Sequence, residues 1–247
     1  QSAIAYGNNY TKGTSLGKDI SGTGWGKKTD RILVHELAHE WFGNSITAND
    51  IADRWIQEGF AGLGEQLVLE DLCGHEASAE FLTGRLKHLE NDRPVIGRYG
   101  INEDGSSDNY LKGWAVLHTI RQVINDDSLF RCILRSLNVN FYHKTVSSRQ
   151  LELFIAKKSG KLLRHIFDQY LRSAKIPVLE YRIQGAVLNY RLTNCNQKFS
   201  ITVRTNMTQN RLIFPTTSWQ HIHIDPKNKN TLLKIDSILI DVIKSGQ

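Results

Sequence analysis

The sequence predicts an α+β chain, mainly helical over residues 1–175 and closing in a small β-sandwich over 176–247. Three observations carry this. Apolar residues recur at helical spacing in the first part, as in Leu82, Leu86 and Leu89 or Trp114, Leu117 and Ile120. Pro177 then supplies a natural helix stop. Beyond it the period falls to two, in Leu179, Tyr181 and Ile183, in Leu188, Tyr190 and Leu192, and in Phe199, Ile201 and Val203.

The elements follow in order. Ser2 to Tyr6 reads as a short strand ending at Gly7-Asn8-Asn9. Gly22 to Lys28 imitates a phosphate loop, but Ser21 stands where its first glycine belongs and Lys28 where Ser or Thr is needed. A flexible loop fits better. A helix follows, capped by Thr29 or Asp30 and ended by Gly43-Asn44. Its flanks, Ile32-Leu33-Val34 and Trp41-Phe42, are apolar, so it is expected to be buried.

A second helix is expected from Asp53 to Leu72. Gly59, Gly62 and Gly64 each cost about 1 kcal/mol there relative to alanine, which close approach of another backbone would justify. After the helix marked by Leu82, Leu86 and Leu89, residues Asn91 to Asn109 read as a long loop. It delivers Tyr110 to the start of a helix, with Lys112 expected at the solvated surface. Helical stretches near Ser128–Leu137, Ser148–Lys158 and Lys161–Ser173 complete the first part. In the second, further strands are expected at Arg211–Phe214, Trp219–Asp225, Leu232–Ile235 and Ile238–Ile243.

The chemistry sits in His35-Glu36-Leu37-Ala38-His39 and in Glu58, which follows His39 after eighteen intervening residues. Positions i and i+4 share a helix face, so His35 and His39 can grip one metal ion. Glu36, one step round, can reach a water on that ion. This is the H-E-x-x-H pattern of zinc peptidases. Two histidines and one carboxylate leave a fourth position open, as catalytic rather than structural zinc requires. Glu65 lies seven residues after Glu58, on the same face two turns on, where it can accept a hydrogen bond from a ligand histidine. Asp53 is a second supporting candidate.

The runs His35-Glu-Leu-Ala-His-Glu-Trp-Phe-Gly-Asn44 and Asp53-Arg-Trp-Ile-Gln-Glu-Gly-Phe-Ala61 resemble the M1 family of zinc aminopeptidases. The resemblance implies a thermolysin-like catalytic domain over 1–175, with His35, His39 and Glu58 as ligands of one zinc ion and Glu36 as general base. Tyr110-Leu111-Lys112-Gly113 resembles the segment carrying the family's catalytic tyrosine, whose phenol donates to the oxygen that becomes negative in the transition state. It also implies an amine-binding Gly-x-Met-Glu-Asn motif and an N-terminal β domain, both expected upstream of Gln1 and so outside this chain.

The function implied is hydrolysis of N-terminal residues from a peptide substrate. Two alternatives stand beside it: an endopeptidase, and a zinc-stabilised fragment that binds without turnover. Residues binding the substrate's side chains are not identified by the motifs.

Bulk properties narrow the rest. The chain has 247 residues, 40% of them hydrophobic and 23% charged, an ordinary globular composition. Its net charge is +6 without a dense basic block, which argues against nucleic acid as a partner. No apolar run reaches membrane-span length, and the composition fits a soluble protein, cytoplasmic or exported. Cys73, Cys132 and Cys195 are odd in number and widely spaced, so they are expected as small apolar residues, not as a disulfide framework. His221, His223 and Asp225 alternate along one strand, but on the face expected to meet water.

Overall fold

The computed structural model describes residues 4–14, 17–207, 212–228, 230–236 and 239–245. They form two compact units, Gln1–Lys161 and Leu162–Gln247. The first is helical, with α1 (Arg31–Ala38), α2 (Trp55–Cys73), α3 (His75–Leu86), α4 (Leu111–Ile124), α5 (Asp127–Asn140) and α6 (Ser148–Ser159). Two short strands, β1 (Ile46–Ala48) and β2 (Lys144–Val146), pair in parallel.

Local chemistry sets the helix ends. Asp30 caps α1 by accepting from the Leu33 N–H at 3.2 Å. Asp126 caps α5 in the same way, and Ser147 and Gln150 form a capping box at α6. Asn125 ends α4 in the left-handed conformation. α2 is buried around most of its circumference, because α1, α3 and α4 all pack on it. Trp55, Ile56, Phe60, Leu63, Trp114, Leu117 and Ile120 form the centre of this core.

The glycines of α2 mark its close approaches. A Cβ on Gly59 would stand 2.8 Å from the Gly113 carbonyl carbon of α4, and one on Gly64 would stand 2.9 Å from the Ala38 Cβ of α1. The helix holding Glu58 is thereby seated against both the histidine helix and the helix that follows Tyr110.

Several expectations change. α1 packs on α2 through Ala38 and is only half buried: Leu37 is 43% and Trp41 56% exposed. Phe42 alone of its flanks is buried, stacked on Phe60 at 4.1 Å. Asp53 lies in a single 3-10 turn, Ile51–Asp53, ahead of α2. Leu89 falls beyond α3. Lys112 is not at the surface: it is fully buried, and its Nζ donates to Asn91 Oδ1 at 2.6 Å, tying α4 to the preceding loop. That loop is also stitched by Asp108, which accepts from the backbone N–H groups of Glu90 and Asn91. Cys132 is exposed, not packed, and the three cysteines are free. Residues 2 and 3 of the expected first strand lie outside the described residues, and residues 4–7 form no strand.

The second unit begins with α7 (Arg164–Leu171) and holds a four-stranded sheet in the order β7-β4-β3-β8. β3 (Val178–Gln184) and β4 (Val187–Thr193) form a hairpin turning at Gly185, with Tyr181 opposite Tyr190 and Leu179 opposite Leu192. β7 (Gln220–His223) runs antiparallel to β4, and β8 (Asp241–Lys244) runs parallel to β3. A second sheet pairs β5 (Val203–Arg204) with β6 (Leu212–Ile213). α7 belongs with these strands because the Tyr170 hydroxyl donates to the Leu239 carbonyl at 3.0 Å and its ring meets Phe199 edge-on.

The expected strand at Leu232–Ile235 reduces to one bridge between Ile235 and Thr205, and Phe199 and Ile201 are buried without a ladder. Arg211 and Ile238, which opened two of the expected strands, lie outside the described residues. His221 and His223 point to solvent, as expected of that face.

Candidate metal and catalytic site

Two imidazoles and a carboxylate converge where α1 crosses α2. His35 lies in the last turn of α1, and His39 caps it with its N–H bonded to the His35 carbonyl at 3.3 Å. Both rings therefore hang from one helical turn, edge to face at 4.7 Å between centroids. Glu58, from the first turn of α2, places Oε2 at 3.2 Å from His35 Nε2 and 3.5 Å from His39 Nε2. Among the described residues these three form the one group able to hold a metal ion, with ligand atoms all within 4.8 Å of one another.

The far side of each ring is also held. His35 Nδ1 lies 2.7 Å from Glu65 Oε1, and His39 Nδ1 lies 2.9 Å from the Phe42 carbonyl. Each acceptor takes the Nδ1 hydrogen bond and leaves Nε2 turned inward, the arrangement that orients metal-ligating histidines. The turn depends on Gly43: its φ is +137°, and a Cβ there would come 3.3 Å from His39 Nδ1. Glu65 Oε1 also accepts from Arg31 Nη1 at 2.7 Å.

These charges act on one another. Burial works against protonation of His35, but hydrogen bonds to Glu58 and Glu65 outweigh it and lift its pKa to about 9. Burial works the other way on Glu58, and the two histidines overcome it, holding the carboxyl well below the usual range. Without a metal ion the cluster is a proton-sharing group, and a divalent cation would take the place of those protons.

Tyr110 reaches the same place. Its ring stacks near His35 at 5.9 Å between centroids, and its hydroxyl accepts from Arg54 Nη2 at 3.1 Å. Glu36 lines a cleft of about 430 Å³ together with His35, His39, Glu58 and Tyr110, and a second hollow beside it with His39 and Glu58. It thus borders both hollows beside the metal-type group.

Arg54 is a site residue that motif reading missed. Its Nε donates to Glu58 Oε1 at 3.2 Å, so one guanidinium holds both the carboxylate and the tyrosine. The i, i+4 spacing of Arg54 and Glu58 was the available signal. Asp53 lies elsewhere. Fully buried, it accepts from the Tyr99 hydroxyl at 2.7 Å and from the backbone N–H and hydroxyl of Ser148, fixing the start of α6 instead of a ligand histidine.

Residues 16–170 match the model of the peptidase family M1 domain. The chain belongs to peptidase family M1. Aminopeptidase 2, mitochondrial, of Saccharomyces cerevisiae is 25% identical over 211 residues, which are 81% of this chain and 22% of that protein. Aminopeptidase N of Lactococcus lactis is 24% identical over 62% of this chain and 19% of that protein. This M1 chain therefore spans about a fifth of the length of the curated relatives it matches.

Among solved structures, an M1 zinc metallopeptidase of Deinococcus radiodurans bound to a Tyr-Ser-Ala substrate aligns with a TM-score of 0.51. It is 29% identical and covers 60% of this chain and 34% of its own. Aminopeptidase A of Legionella pneumophila shares the fold over 93% of this chain and 28% of its own, at a TM-score of 0.68 and 14% identity. The mainly helical α+β architecture is thus that of M1 structures. No helix among the described residues is long and apolar enough to cross a membrane.

Proposed function

We propose that this M1 chain carries the catalytic residues of a zinc aminopeptidase, which hydrolyses the N-terminal residue from peptides. The observation that carries the reading is the convergence of His35 Nε2, His39 Nε2 and Glu58 Oε2, with both Nδ1 atoms held by acceptors behind them.

The donor set fits zinc. Two nitrogens and one oxygen leave a position free for water or substrate, and the orienting acceptors are in place. When bound, the ion supplies Lewis acidity towards a water and a carbonyl oxygen. The remaining work falls to side chains of the chain. Glu36 takes the proton of the attacking water and passes it to the leaving amine. Tyr110 donates its phenol proton towards the carbonyl oxygen as negative charge gathers there. Burial and then the nearby Glu58 charge raise the Tyr110 pKa, so the phenol stays protonated at neutral pH. Arg54 holds the Tyr110 hydroxyl and Glu58 in fixed relation.

Glu36→Gln tests this. The variant is expected to hold one zinc per chain while hydrolysis of an aminoacyl amide falls by at least about a hundredfold. Retained hydrolysis removes Glu36 from the mechanism. A free-amine amide cleaved in preference to its N-acetyl form supports aminopeptidase action. Cleavage of N-blocked peptides favours an endopeptidase, and zinc uptake without any turnover favours a binding-only module.

A further inference from the structure

The cleft beside the metal-type group has a second chemical feature, at the end formed by α3. Arg85 lines it and is 91% buried, with a relative exposure of 9%. Its side chain makes no hydrogen bond or ion pair with any described residue, and its Nε is buried without a partner. Arg31 lines the same end, and its charge is close enough to act on Arg85. Burial first, then that neighbouring cation, pull the Arg85 pKa down to about 10, which leaves it charged at neutral pH.

The nearby carboxylates are already engaged. Glu65 Oε1 accepts from both Arg31 and His35, at 2.7 Å each. Asp19 accepts from Ser21 and from the Gly24 backbone. Glu65 Oε2 is buried and makes no hydrogen bond. Arg85 lines the cleft, and its guanidinium makes no hydrogen bond to either carboxylate. Glu65 and Asp19 attract Arg85 through space without a hydrogen bond to it, and a guanidinium fork fits a carboxylate through two parallel hydrogen bonds.

We propose that Arg85, with Arg31 beside it, forms an anion subsite of the cleft that receives a carboxylate of the peptide substrate. The inference rests on the peptidase reading above and names the substrate class of that same cleft. The carboxylate has two sources, an acidic side chain or the C-terminal carboxylate of a short peptide, and the subsite recognises the group they share.

Two matched pairs of substrates test it on the zinc-loaded chain. Glutamyl and glutaminyl p-nitroanilide differ only in the side-chain carboxylate, whereas Leu-Leu and Leu-Leu-amide differ only at the C-terminus. In one pair kcat/KM is expected to favour the carboxylate by about tenfold or more, and the pair that responds identifies the source. The ratio is expected to fall to near one in Arg85→Met and to recover in part in Arg85→Lys. Should the variants fail to fold, the two substrate ratios of the unmodified chain still decide. Equal kcat/KM within both pairs, or a preference untouched by Arg85→Met, overturns the subsite. Failure to hydrolyse even the neutral substrates is a different result: it overturns the peptidase reading and this inference with it.

Discussion

Removing Glu65 separates the histidine-orienting role of this residue from mere packing. Its side chain is 3% exposed, and one oxygen carries two bonds of 2.7 Å, to His35 Nδ1 and Arg31 Nη1. Glu65→Leu deletes both. His35 loses the acceptor that fixes its tautomer, and such losses behind a metal ligand typically lower metal affinity by about 10–100-fold. Arg31 is left at 19% side-chain exposure without its partner. Breaking a buried pair from one side costs about 3–5 kcal/mol, and the water remaining around Arg31 puts the expected loss at about 3 kcal/mol. Glu65→Gln keeps an oxygen acceptor for His35, so its zinc affinity is expected to fall less than tenfold. Competition with a zinc-chelating dye and urea unfolding of the metal-free protein read the two effects. A Glu65→Leu chain that binds zinc within about twofold of the unmodified one would refute the reasoning.

Other consequences are equally direct. Arg54→Met frees Glu58 Oε1 and the Tyr110 hydroxyl together, so kcat is expected to fall about tenfold or more while zinc content, measured by atomic absorption, is retained. Gly59→Ala drives a methyl group against the Gly113 backbone at 2.8 Å, with an expected loss of about 2 kcal/mol in urea unfolding, because neither helix backbone can give way cheaply. In the metal-free protein His35 has a pKa raised from 6.5 to about 9. Its pairing therefore contributes fully below pH 6.5 and is lost as pH climbs through 9, so the metal-free Tm is expected to fall across that window. Zinc must displace the same proton. Its apparent affinity is expected to rise by up to about tenfold per pH unit until about pH 9, read by titration calorimetry in buffers of different ionisation enthalpy.

The metal-type group was legible because its information is local. Helical periodicity fixes that His35 and His39 share a turn, and the same arithmetic puts Glu65 two turns beyond Glu58. The glycines of α2 announced close helix approaches before the partners, Gly113 and Ala38, were known. What sequence could not show is set by contacts between distant segments. The parallel pairing of Ile46–Ala48 with Lys144–Val146 joins short runs with no strand signature of their own. Lys112 reads as a surface residue until the loop brings Asn91 to its ammonium group. Asp53 is near the ligands in sequence, yet Ser148 claims it. Arg85 carries no motif, and its significance comes only from burial beside Arg31.

The central claim is that Glu58 closes a three-ligand set with His35 and His39. An anomalous-difference map at the zinc edge, from crystals of the zinc-loaded chain, tests it most directly. The account predicts one peak bonded to both Nε2 atoms and a Glu58 carboxylate oxygen at about 2.0–2.2 Å, with Glu65 still on His35 Nδ1. A peak elsewhere, or a Glu58 side chain turned away from the two imidazoles, would contradict it.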